Sequence, residues 1–166
     1  MKNTKLYIIS LIVLNFFSLA ILKAADPAEE LKNTRKLFKN ASYSLKHLNE
    51  FTDSALALDD ECYAKAYNAA GTMIGAKFEG NPFKKIKDFS KGKNALEEVI
   101  QANPENPEFR FIRLAVQLNI PKLLNYRDNI KEDTTLIKVF LNADKHGDED
   151  LAKMLKAFLE LYSLDV

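Results

Sequence analysis

The chain has one cysteine, no tryptophan, two histidines, five glycines and five prolines. Each scarcity removes a class of chemistry. With Cys62 alone, neither an intrachain disulfide nor a cysteine-based metal cluster can form. His47 and His146 have no second ligand or acid at helical spacing, so no zinc site or general-base pair is written into the chain. Nor is there a phosphate-binding glycine loop, a nucleophile elbow or a pair of buried carboxylates. Charges of one sign are not in excess: 24 Lys and Arg face 23 Asp and Glu, a formal net charge of +1. That balance argues against a nucleic-acid polyanion as the main partner. Alternating apolar–polar runs are missing too, which removes the signal for half-buried strands.

What is present begins with a leader. Met1 to Lys5 is a short basic segment, and "LYIISLIVLNFFSLAIL" (6–22) is an apolar run followed by small residues. This is the form of a secretory signal peptide occupying residues 1–24, with cleavage after Ala20 or after Ala24. An uncleaved anchor is the alternative, because an apolar run of about 17 residues just spans a bilayer. Removing Lys2, Lys5 and Lys23 changes the formal charge from +1 to −2. The expected mature chain is therefore a weakly acidic single domain, 25–166, exported to the periplasm or medium of a Gram-negative bacterium.

Apolar residues after the leader recur at spacings of three and four, which predicts an all-α fold. Asp26-Pro27, Asn81-Pro82 and Asn106-Pro107 each place a capping side chain before a proline at the first helical position. About six antiparallel helices are expected. The first covers 27–49, with Phe38, Ala41, Leu45 and Leu48 on one face. The second covers 60–78 and the third 82–102, the third with Ile86, Phe89, Leu96 and Val99 inward. The fourth covers 107–119, the fifth 128–144, and the sixth starts after Asp148. Gly71 and Gly75 lie inside the second. Glycine in a soluble helix costs about 1 kcal/mol against alanine, so a close helix crossing is expected to offset them.

"GKNALEEVIQANPENPEFRFI" resembles the junction between two tetratricopeptide repeats, with Leu96, Val99, Pro104 and Phe109 on the repeat's large, small, proline and aromatic positions. The resemblance covers about one junction, and Ile120-Pro121 interrupts where the repeat's turn is regular. Residues 76–133 also resemble a frame shared by a group of exported bacterial helical proteins, a likeness that brings no activity with it. The first resemblance implies helical hairpins stacked as an open solenoid with a concave binding face. A closed irregular bundle is the competing architecture.

The helix 107–119 poses the sharpest question. Phe109, Phe111, Ile112, Leu114, Ala115, Val116 and Leu118 surround it, yet Arg110, Arg113 and Gln117 run along it as a polar stripe. Unpartnered guanidinium groups there are very costly. Asp133 lies among Ile130, Ile137 and Phe140 on the apolar side of the next helix. One reading pairs Arg110 and Arg113 with Asp133 as a buried lock. The other has Arg110, Arg113 and Gln117, bordered by Tyr126, edge a groove that takes a partner's carboxylate.

The remaining motifs are weaker. "NADKHGDED" fails as a calcium loop, because Lys153 stands where the bidentate glutamate belongs, and reads as a capping turn. Asn40-Ala41-Ser42 has the form of a glycosylation acceptor but falls inside the expected first helix. Cys62 stands near a helix amino terminus, either as a packing residue or as an activated thiol. No cofactor or metal is expected. The expected function is an exported helical interaction domain for another envelope protein or peptide, with a membrane involved only if the leader stays attached. A tethered structural protein and a small enzyme without a recognisable motif are the alternatives.

Overall fold

The computed structural model describes residues 26–143 and 147–164; the expected signal peptide lies outside them. Among the described residues there are seven α-helices, two short 3-10 turns and no strand. The helices are α1 (Pro27–Phe38), α2 (Leu45–Leu56), α3 (Glu61–Gly75), α4 (Pro82–Ala102), α5 (Pro107–Asn119), α6 (Ile130–Leu141) and α7 (Glu149–Leu161). Side-chain oxygens of Asp26, Ser44, Asp60, Asn81, Asn106 and Asp148 accept backbone amides at six of the seven starts. The three expected Asx-Pro starts are among them.

The expected first helix is two helices. After Phe38 the chain meets Asn40, Ser42, Tyr43 and Ser44, residues whose side chains or stiffness favour turns over helix interiors. The Ser44 hydroxyl then accepts the His47 amide at 3.3 Å and starts α2 in the opposite direction. Ala41 stays buried inside the turn, while Leu45, expected inward, is exposed. Asn40-Ala41-Ser42 therefore lies in a turn, not within a helix. Residues 50–56, left unassigned by the spacing, complete α2.

Successive helices run antiparallel. Phe38 packs on Phe51 between α1 and α2, with ring centroids 5.4 Å apart. The odd-numbered helices also meet one another: Phe38 on Tyr67 and Phe111, Tyr63 on Phe109, and Phe111 on Phe158. Arg35 of α1 reaches the α7 cap, Asp148, at 2.7 Å. The inner faces that an open solenoid leaves concave are thus closed on themselves, and α5 sits at the centre with residues 108–117 all buried.

Two glycines set helix crossings. A Cβ on Gly92 of α4 would stand 2.6 Å from the Ala69 carbonyl oxygen and 2.8 Å from Met73 Cγ. One on Gly71 would meet Thr52 Cγ2 at 2.7 Å, whereas one on Gly75 meets only Leu48 Cδ2 at an ordinary 3.5 Å. The expected close crossing holds at Gly71 and not at Gly75. Gly92→Ala should therefore destabilise the fold by about 2 kcal/mol through overpacking against rigid backbone. Gly75→Ala should instead stabilise it by up to about 1 kcal/mol through helix propensity. Urea midpoints of the two variants would check the opposite signs.

Candidate functional site

Two clusters of buried charge are built on α5. The first occupies the helix's outer side. Arg113 grips Asp133 of α6 bidentately, with Nε on Oδ2 at 2.7 Å and Nη2 on Oδ1 at 2.6 Å. Its remaining nitrogen, Nη1, donates to Glu97 of α4 at 2.7 Å. Arg110 donates from Nη1 to Glu132 at 2.7 Å and Asp133 at 3.1 Å, and from Nε to the Pro104 carbonyl at 2.9 Å. Asp133 is fully buried. Burial pushes its carboxyl above the ordinary aspartate value, against the pull of the two arginines. Burial alone would lower the Arg113 pKa, but the bonds to Asp133 and the charge of Glu97 hold it above the usual arginine value. All partners are charged, so the cation does not depend on solvent.

Tyr126 and Gln117 extend this cluster. The Tyr126 hydroxyl donates to Glu97, and the ring lies under Lys93 Nζ at 4.9 Å and against Phe89. Burial, then the Glu97 carboxylate, push the phenol pKa upward. Gln117 donates to Asn129 at 3.2 Å, while its own side-chain oxygen has no hydrogen-bond partner among the described residues. Arg110, Arg113, Gln117 and Tyr126 are all buried. Of the two readings of these residues, the geometry is that of the lock: none of the four edges an open groove. Tyr126 and Arg113 share the Glu97 carboxylate, and every Arg113 nitrogen faces an internal carboxylate.

The second cluster lies on the opposite side of α5 and has no counterpart in the sequence reading. Arg35 grips Glu108 bidentately, Nε on Oε1 at 2.8 Å and Nη2 on Oε2 at 2.6 Å, and donates to Asp148 at 2.7 Å. The Tyr67 hydroxyl donates to Glu108 Oε1 at 2.5 Å. Glu108 and Tyr67 are fully buried. Burial and the adjacent carboxylate push the Tyr67 phenol well above its ordinary pKa. At Arg35, burial again works downward, and the bonds to Glu108 and Asp148 outweigh it. Four helices, α1, α3, α5 and α7, converge on one carboxylate–guanidinium pair. Beside it a cleft of about 400 Å³ is lined by Leu31, Lys32, Arg35 and residues 147–150.

In each cluster the fully buried carboxylate, Asp133 or Glu108, is gripped at two points by an arginine, while the carboxylates outnumber the guanidiniums, three to two around Asp133 and two to one around Glu108. His47 sits on a helix edge with Nδ1 2.8 Å from the Ser44 hydroxyl, and Cys62 is exposed on the first turn of α3. Among the described residues, no group of three or more His, Cys, Asp or Glu is placed to hold a metal ion. Likewise, no described helix is long and apolar enough to cross a membrane. The candidate calcium turn falls partly outside the described residues. No family model, curated protein or solved structure matches the chain.

Proposed function

We propose that the protein is an exported helical interaction module whose contacts are made from the outside of the bundle. The observation that carries this reading is closure. Arg35, Glu108, Tyr67 and Asp148 hold α1, α3, α5 and α7 together where a repeat protein would present its concave face. The charged groups along buried α5 are paired within the fold, so recognition falls to the exposed side chains. Large apolar ones are exposed at Tyr43, Leu45, Phe83 and Ile86 at one end of the bundle, and elsewhere at Leu56, Leu123, Val139 and Leu161. Tetratricopeptide-like pairing of the helices is consistent with this role as an analogy of architecture only.

The full chain, expressed in a Gram-negative host and fractionated, supplies the test. N-terminal sequencing should give a start near Ile21 or Ala25, in the envelope or medium. A start at Met1 in the membrane fraction would favour the tethered alternative, and retention in the cytoplasm would contradict export. A photo-crosslinker at Phe83 should give an adduct with an envelope component, and one at Val139 of α6 should not. Absence of adducts from both would count against an outward-facing interaction module.

A further inference from the structure

We propose that the end of the bundle made by the α1–α2 turn and the first turns of α4 docks onto an anionic lipid surface. This rests on the outward-facing interaction reading and names its partner. α4 has 21 residues where its antiparallel neighbour α3 has 15. At about 1.5 Å per residue, α4 is longer by roughly 9 Å, of which the 3-10 turn Ala76–Phe78 covers only a part. The result is a helix start with residues 81–87 all exposed. Phe83 is 85% exposed and Ile86 57% exposed, although Ile86 continues the apolar spacing of the buried Phe89 and Leu96.

The charges around these two side chains have one dominant sign. At about 100° per residue, Phe89, Gly92 and Leu96 mark the buried side, and Phe83, Lys87 and Lys91 fall on the opposite one. Lys84 lies beside them, while Lys85 falls on the Phe89 side of the helix and is exposed because that first turn projects past its neighbour. The acids nearby are Glu50, Glu79 and Asp88: Lys84 pairs with the last two, and Lys46 with Glu50. The second turn at the same end adds to the patch. Lys77 donates to the Ser42 carbonyl at 2.8 Å, which ties the α1–α2 turn to the α3–α4 turn. That α1–α2 turn presents exposed Tyr43, Leu45, Lys39 and Lys46.

This combination fits a membrane better than a folded protein partner. Protein interfaces are depleted in lysine and seat their aromatic anchors in packed pockets. Here isolated apolar side chains project from a helix end among flexible lysines. That arrangement suits a fluid interface, with the apolar side chains at the acyl boundary and the ammonium groups at anionic headgroups. The membrane contact proposed here needs no retained leader, unlike the membrane involvement read from the sequence.

The test is co-sedimentation of the mature chain with vesicles of phosphatidylcholine alone and of phosphatidylcholine with phosphatidylglycerol. Binding is expected only to the second and should weaken steeply as salt shortens the screening length. Lys84→Gln/Lys85→Gln/Lys87→Gln should reduce binding by about a hundredfold. Phe83→Ser/Ile86→Ser should reduce it by about tenfold or more. All five positions are exposed, so thermal melts should stay near wild type. Lys131→Gln/Lys138→Gln on α6 should bind as wild type. No binding to the anionic vesicles would overturn the proposal, as would equal losses in the α6 control. Failure on vesicles with a protein adduct at Phe83 would remove the lipid and leave the interaction reading standing. Failure of both would remove both.

Discussion

Replacing Glu108 with leucine should be the most damaging single change in the protein. The substitution strips Arg35 of its bidentate partner and leaves only the half-exposed Asp148 to face the guanidinium. Breaking a buried pair from one side costs about 3–5 kcal/mol. The Tyr67 hydroxyl, fully buried, loses its acceptor as well, a further desolvation cost of about 1–3 kcal/mol. The two effects share one site and will not simply add. Even the lower figure is a large share of the roughly 5–15 kcal/mol available to a domain. Glu108→Gln keeps an acceptor for Tyr67 and should cost less. Urea unfolding would give the order Leu worse than Gln worse than wild type. Native-state hydrogen exchange should also show α1 opening first, because Glu108 is its charged anchor to the centre. A leucine variant as stable as wild type would mean that Arg35 escapes to solvent without loss.

Asp133→Leu is the second large effect, at about 3–5 kcal/mol. It leaves Arg113, buried, with Glu97 and a more distant Glu132 oxygen at 4.0 Å, and Arg110 with the exposed Glu132. Arg113→Met should cost a similar amount by orphaning a fully buried Asp133. Arg113→Lys should recover little, because an ammonium cannot reproduce the two-point grip. The relevant measurement is the urea midpoint at constant m-value, which separates lost stability from altered compactness.

What could be read from the residues divides along physical lines. Asp133 stood out because a carboxylate among Ile130, Ile137 and Phe140 needs a cation, and short connections make neighbours of consecutive helices. Arg35 and Glu108 did not stand out, though they form a bidentate pair as close as that of Arg113 and Asp133. Glu108 is in the first turn of α5 and Arg35 in the last turn of α1. Each is where the helix dipole already favours its sign, so local reasoning is satisfied without a partner 73 residues away. The missed signal was the all-round burial of α5, which requires a partner for Glu108 as firmly as for its arginines.

The division of the first expected helix was hidden for a related reason. Phe38, Ala41 and Leu48 remain buried on both sides of the reversal, so the apolar spacing runs through the turn. Ser44 as a cap was the available contrary sign. Ile86 shows the reverse failure, where a regular apolar spacing continues past the last neighbour able to cover it. Gly92 sits in a lysine-rich stretch that suggests a solvated face, and only the approach of the Ala69 carbonyl reveals its role. Closure of the bundle depends on contacts between α1 and α7, the most distant helices in the chain, and periodicity carries no information about such pairs.

The central claim is that the polar stripe of α5 is a structural lock, and a double-mutant cycle across Arg113 and Asp133 tests it most directly. Wild type, Arg113→Met, Asp133→Leu and the double variant would be unfolded in urea. Each single change should cost about 3 kcal/mol or more, while the double should lie near wild type, because an apolar pair of similar volume can replace a buried ion pair. The cycle then yields a coupling of several kcal/mol. Single variants near wild-type stability, with negligible coupling, would contradict the lock and return Arg110 and Arg113 to a surface where a partner's carboxylate can reach them.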